Sequence, residues 1–156
     1  MTNQRTSIRP AESGDIDSLV EFSNRTIRAR YTSFLGEKTV EDYLTSGAVE
    51  NYFQENLPRC FVIEEDRAVA GVGAFKDLTV DLMMVDAERQ GHGLGTRLLE
   101  HLETLLFSKS AELTLESFAD NEQANAFYRK RGWVEIENYK DNETGISMVR
   151  LRKRKS

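Results

Sequence analysis

Val80-Asp81-Leu82-Met83-Met84-Val85, Asp86-Ala87-Glu88-Arg89 and Gln90-Gly91-His92-Gly93-Leu94-Gly95-Thr96 follow one another as an apolar run, a charged connection and a glycine-rich turn. After the turn, Leu94, Leu98, Leu99, Leu102, Leu105 and Leu106 recur at intervals of three and four, which predicts a helix with one broad apolar face ending near Ser108. The order is therefore strand, turn, helix. The first amides of a helix have no internal partner and carry the positive end of its dipole, and glycines let an anion approach the backbone, so the turn is a candidate phosphate site. Read alone, the same glycines serve equally well as a tight entry into an apolar helix. A nucleotide P-loop would need Lys and then Ser or Thr after the last glycine, where Thr96 and Arg97 stand. The dinucleotide pattern G-x-G-x-x-G does not fit either, because the glycines fall at 91, 93 and 95.

Upstream, Ser7 to Arg9 reads as a short strand before Pro10. Ser13 or Asp15 then caps a helix through Ile16, Leu19, Val20, Phe22, Ser23 and Ile27. Helical stretches follow with Val40, Tyr43 and Leu44 as one stripe, and more weakly over Ala48 to Phe53. Cys60 to Glu64 and Ala68 to Phe75 form a hairpin in which Gly71 and Gly73 mark a bulge or a close backbone approach. Downstream, Leu113 to Ser117 is a strand and Glu122 to Arg131 a helix. Trp133 to Tyr139 and Gly145 to Leu151 are two further strands around a polar turn. The class is α/β, and no repeat or linker divides residues 1–156, so a single domain is expected, with a core at about 7–152 and a basic tail at 152–156.

The chain has 156 residues, 39% hydrophobic and 30% charged, which suits a soluble globular protein and excludes a disordered one. No apolar run is long enough to span a bilayer and the first residues lack a secretion signal, so a cytoplasmic location and no membrane contact are expected. Cys60 is the only cysteine, placed in an apolar run as a core residue, and two histidines offer little for a metal site, so no metal is expected. The formal charge is −5 although Arg150, Arg152, Lys153, Arg154 and Lys155 crowd the end. The rest of the chain is thus more acidic than the total, which disfavours nucleic acid and favours a cationic partner. The basic end reads as a solvated terminus.

A second pattern decides what the turn holds. Asn121-x-x-Ala124-x-x-Phe127-Tyr128, followed by Arg131-Gly132-Trp133, comes after the turn in the order and spacing of the Gcn5-related N-acetyltransferases (GNAT). The turn itself matches that family's Gln/Arg-x-x-Gly-x-Gly/Ala motif, with Ala87 standing where relatives often have proline. The chain resembles this family over Ile8 to Leu151, most weakly from Tyr31 to Leu57. The resemblance implies a GNAT fold, a mixed and mostly antiparallel sheet of about six to seven strands flanked by about four helices. It also implies acetyl-CoA as co-substrate. Main-chain amides of Gln90, Gly91, His92, Gly93, Leu94, Gly95 and Thr96 would bind the coenzyme's pyrophosphate. The strand end at Met84 and Val85 would bind pantetheine, Ala124 would leave it room, and Asn121 would hydrogen-bond near it. Tyr128 would reach the sulfur and protonate the departing thiolate.

Spacings of three and four place Asn121, Ala124 and Tyr128 on one helical face, with Phe127 directed elsewhere. A thiol of pKa ~8.5 leaves readily, and a phenol of pKa ~10 still supplies its proton. Taken alone, Tyr128 reads as a half-buried anchor. His92 is expected to be exposed and to contribute its amide. An amine of pKa ~10.4 must lose a proton before it attacks, so a base is needed. Alternation puts Glu116 on the face of its strand opposite Leu113 and Leu115, and the resemblance implies a role for it, since some family members that acetylate protein amino termini have a glutamate at this position that acts as base. The same residue reads equally as solvent-facing. Asp81 ranks behind it, sharing a face with Thr79 and Met83, and a water chain is the third option.

The acceptor is the least legible part. Tyr31, Phe34, Glu37 and Tyr43 suit a cationic amine but suit core and surface as well. Three readings follow: an acetyltransferase acting on a small-molecule amine, one acting on a protein amino terminus or lysine, and a noncatalytic acyl-CoA-binding module. The resemblance also allows a homodimer.

Overall fold

The computed structural model describes residues 5–89 and 91–156. Seven strands form one sheet in the order β1-β2-β3-β4-β5-β7-β6. They are β1 (Thr6–Pro10), β2 (Cys60–Glu65), β3 (Ala68–Lys76), β4 (Thr79–Val85), β5 (Glu112–Phe118), β6 (Val134–Lys140) and β7 (Ser147–Arg154). Every neighbouring pair is antiparallel except β4 and β5. Five helices accompany the sheet: α1 (Ile16–Leu35), α2 (Glu37–Thr45), α3 (Ala48–Asn56), α4 (Leu94–Phe107) and α5 (Glu122–Lys130). Among them none is long and apolar enough to cross a membrane.

The two sheet faces are covered by different helices. On one, Leu19, Phe22 and Ile27 of α1 and Val49 and Phe53 of α3 pack on Val62, Val72, Ala74 and Met84. On the other, Leu99, Leu102 and Leu106 of α4 and Tyr128 of α5 pack on Val80, Leu113, Leu115, Val149 and Leu151. The leucine stripe is buried as its spacing requires, with Leu98, Leu99, Leu102 and Leu106 fully covered. Glycines in β3 set how closely these layers meet. A Cβ on Gly73 would stand 2.9 Å from Leu102 Cδ1, and one on Gly71 would stand 2.9 Å from the main-chain oxygen of Met84. Both are close approaches, and the bulge lies beside them, where the β2–β3 register shifts between Ile63 and Glu64. Cys60 is buried as a core residue.

The end of the chain is not a solvated tail. Strand β7 continues through Arg154, and Arg150, Arg152 and Arg154 pair across β5 with Glu116, Thr114 and Glu112. Lys153 points to the other face, where its Nζ donates to Glu103 of α4 at 2.7 Å. The other oxygen of Glu103 accepts from Trp133 Nε1 at 3.0 Å. Trp133 is therefore a buried anchor 1% exposed, and its strand begins one residue later. Its indole and the lysine satisfy a buried carboxylate that would otherwise be costly.

Candidate coenzyme and acyl-transfer site

The site begins where two strands part. Strands β4 and β5 pair only through Thr79 with Thr114 and Val80 with Leu115. Asp81 is an extra residue on β4, because Phe75 pairs with Val80 while Ala74 pairs with Leu82. An extra residue bends its strand and sharpens its twist. The bulge also resets the alternation, so that Met84 packs with the α1 and α3 core while Met83 packs against the α4 side. Thr79, whose hydroxyl lies 3.0 Å from that of Thr114, faces away from Val80, so the face it was expected to share with Met83 does not form.

Into this fork opens a cavity of about 330 Å³. Its wall includes Met84 and Val85 of β4, Gly91 and Gly93 of the turn, Leu94, Gly95 and Thr96 at the start of α4, and Asn121, Ala124 and Tyr128 of α5. Both motifs therefore meet in one place. Gln90 lies outside the described residues.

The turn has the features of an anion cradle. Gly91 and Gly93 take φ of 82° and 74°, a left-handed backbone that disfavours side chains, and a Cβ on either would stand in open space. No side chain caps α4, so the amides of its first turn remain to be satisfied from the cavity side. Gly95 answers to packing instead: a Cβ there would lie 3.3 Å from the ring of Phe127 and 3.6 Å from Val85. The donor set, unpaired amides with guanidinium groups beside them, fits a pyrophosphate and a pantetheine arm.

Those guanidinium groups belong to Arg30, Arg89 and Arg131, none of them singled out from the sequence. Arg131 donates from Nε to Thr96 Oγ1 at 2.9 Å and from Nη1 to the Phe127 carbonyl at 3.0 Å, with its guanidinium 3.9 Å from the Phe127 ring centroid. It ties α5 to the first turn of α4. Phe127 also lines the cavity, contrary to the expectation that it faces elsewhere. Helical spacing signalled Arg131, three residues beyond Tyr128 on the same stripe. Nothing signalled Arg89, which comes from the connection before the turn, nor Thr26 and Arg30, which α1 brings from the opposite sheet face together with Tyr31, the one of the four suggested amine-pocket residues that lines the cavity.

Asn121 caps α5, its Oδ1 accepting from the Ala124 amide at 3.3 Å. Tyr128 is 8% exposed and meets Phe127 and Trp133 edge-on, with ring centroids 5.5 and 6.3 Å away. Burial pushes its hydroxyl well above the usual phenol range, and nearby Tyr31 adds to the shift. His92 is exposed as expected, and its imidazole is directed at Glu65, with Nδ1 3.0 Å from both carboxylate oxygens. It lines no part of the cavity.

The two candidate bases stand outside the cavity wall, side by side in the fork. Asp81 and Glu116 each follow the last residue through which β4 and β5 pair with one another. Tyr52 donates to Asp81 Oδ2 at 2.6 Å, and Arg150 Nη2 donates to Glu116 Oε1 at 2.9 Å. Tyr139, pushed up to about 12 by burial and by its hydrogen bond to Glu116, sits beside the second pair. On the same side Tyr31, Phe34 and Phe118 form an aromatic cluster with ring centroids 5.5 to 5.7 Å apart.

Solved structures share this architecture. Apo YjaB from Escherichia coli is 22% identical, with 97% of this chain and 99% of that one aligned at a TM-score of 0.82. The PaiA N-acetyltransferase from Thermoplasma acidophilum in complex with coenzyme A is 16% identical, covering 96% and 99% at 0.80. The ribosomal-protein-S18-alanine N-acetyltransferase from E. coli is 22% identical, covering 97% and 95% at 0.70. At such identities the likeness speaks for the fold. Among curated protein sequences none matches the chain. Residues 24–133, most of the chain and both motifs, match the profile of the acetyltransferase (GNAT) family. The chain belongs to that family, and is an acyltransferase of the acetyl-CoA-dependent N-acetyltransferase kind.

Proposed function

We propose that this chain moves an acetyl group from acetyl-CoA to a primary amine on a small molecule by direct attack. The observation that carries the reading is the single cavity joining the uncapped start of α4 to Tyr128 through the β4–β5 fork. Acetyl-CoA supplies an activated thioester. The amides of Gly91 to Thr96 and the guanidinium groups of Arg89 and Arg131 hold its pyrophosphate, and the backbone of Met84 and Val85 and the side chain of Asn121 align its pantetheine. Glu116, through water, takes the proton that the amine loses as its nitrogen bonds to the acyl carbon. Tyr128 gives its proton to the sulfur as the C–S bond breaks. Asp81, engaged by Tyr52, is the alternative base.

Charge supports a cationic acceptor. Asp81 and Glu116 stand in the fork, Glu137 adds a third carboxylate beside Arg150, and the chain as a whole is acidic. The aromatic trio Tyr31, Phe34 and Phe118 suits an ammonium group or its alkyl stem. A second reading, acetylation of a protein amino terminus or lysine, is favoured by β6, an edge strand exposed along nearly its whole length and separated from β5 only by β7, which leaves room for a peptide. A thiol-release assay over small amines and short peptides separates them. Release with small amines alone supports the proposal, release with peptides alone supports the second reading, and coenzyme binding without release on any acceptor leaves a binding module.

A further inference from the structure

A buried carboxylate that takes no part in the transfer lies behind the glycine turn. Glu65, the last residue of β2, is 1% exposed. It accepts from Arg89 Nη1 at 2.9 Å, and both its oxygens lie 3.0 Å from His92 Nδ1. An ionised carboxylate only accepts, so the ring nitrogen facing it carries the hydrogen. Burial pulls the Glu65 carboxyl upward, but the hydrogen bonds from Arg89 and His92 outweigh it and hold the group below the usual carboxylate range. A buried ion is tolerated only while its partners stay in place, so each of these contacts resists displacement.

The two partners are three residues apart and stand on either side of positions 90–91, so one carboxylate ties both limbs of the turn to the sheet. Arg89 is braced a second time by Asp86, whose Oδ2 lies 3.7 Å from its Nε and 3.2 Å from Arg25 Nη2. The guanidinium of Arg89 lines the cavity as well. With Glu65 behind it, the arginine is fixed before any ligand arrives.

We propose that Glu65 is a positioning residue for the donor's pyrophosphate: by pinning Arg89 and His92 it holds the glycine turn open with its amides aimed into the cavity. This rests on the reading of the turn as a pyrophosphate site. Groups already held in the binding geometry lose less freedom on association, so the effect falls on affinity for the phosphate part of the donor.

The test compares Glu65→Gln and His92→Gln with the natural chain by calorimetry, using 3′-phosphoadenosine 5′-diphosphate and S-acetylpantetheine as separate probes. Glu65→Gln is expected to weaken the first by about tenfold and His92→Gln by about threefold, with neither altering the second. In turnover the KM for acetyl-CoA rises while kcat holds. Unchanged affinity for the nucleotide in both variants, or an equal loss for both probes, overturns the proposal. Should Glu65→Gln fail to fold, His92→Gln, whose side chain is one-third exposed, decides by the same criterion. If the natural chain itself does not bind the nucleotide, it is the reading of the turn that fails.

Discussion

Tyr128 is an anchor by its packing and, in the proposed mechanism, the acid as well. Its ring is locked edge-on against Phe127 and Trp133, and its buried hydroxyl is held above the usual phenol range, so the proton stays on it at any working pH. An acid whose pKa is raised is present below the raised value and is lost only as pH climbs through it. Tyr128→Phe is therefore expected to lower kcat by about tenfold or more, with little change in coenzyme affinity. The natural chain should show no fall in kcat from tyrosine ionisation below pH ~10. Unchanged turnover in the variant removes Tyr128 from the mechanism. The stripe Asn121, Ala124, Tyr128 was legible because helical spacing alone places it on one face, and it extends to Arg131. Phe127 was misread because its ring serves a neighbour, covering the bare Cα of Gly95 beneath Arg131. Arg89 left no trace in the sequence, since Asp86 beside it reads as one more charge of the connection and Glu65 reaches it only in three dimensions.

Periodic elements were read well where one helix or strand buries one face, as in the leucine-striped α4. Two features escaped. The bulge at Asp81 is invisible in Val80 to Val85 because an apolar run with one charge accommodates either alternation. The continuation of β7 through Arg154 was hidden because Arg-Leu-Arg-Lys-Arg looks like a solvated end, while the carboxylates that receive it, Glu103, Glu116 and Glu137, lie far away in sequence. The glycine in β3 that faces Met84 gives a direct test of how β3 and β4 are set. Gly71→Ala places a methyl 2.9 Å from the Met84 carbonyl oxygen and from Ile63 Cγ2, and the carbonyl cannot withdraw without moving the strand that lines the cavity. A loss of about 1–3 kcal/mol in denaturant unfolding is expected, against little change for Gly14→Ala, whose Cβ meets nothing within 4 Å. Equal stabilities would show that β3 and β4 do not pack as described.

The whole molecule is a sheet pierced at one point. Helices α1 and α3 cover one face and α4 and α5 the other, and the fork between β4 and β5 joins the two sides. The turn and Tyr128 border the cavity on the α4 and α5 side, while α1 adds Thr26, Arg30 and Tyr31 from the opposite one. The proposed donor site was legible because it rests on backbone amides, which need glycines at fixed spacing. The proposed acceptor side was not, because Tyr31 of α1, Glu116 and Phe118 of β5 and Arg150 of β7 come from three elements far apart in sequence. A structure of the complex with acetyl-CoA tests this arrangement most directly. The pyrophosphate should lie on the amides of Gly91 to Thr96, and the thioester sulfur should stand within hydrogen-bond reach of the Tyr128 hydroxyl, at about 3–3.5 Å. A pyrophosphate bound away from the turn, or a sulfur beyond reach of Tyr128 with the pyrophosphate in place, would contradict it.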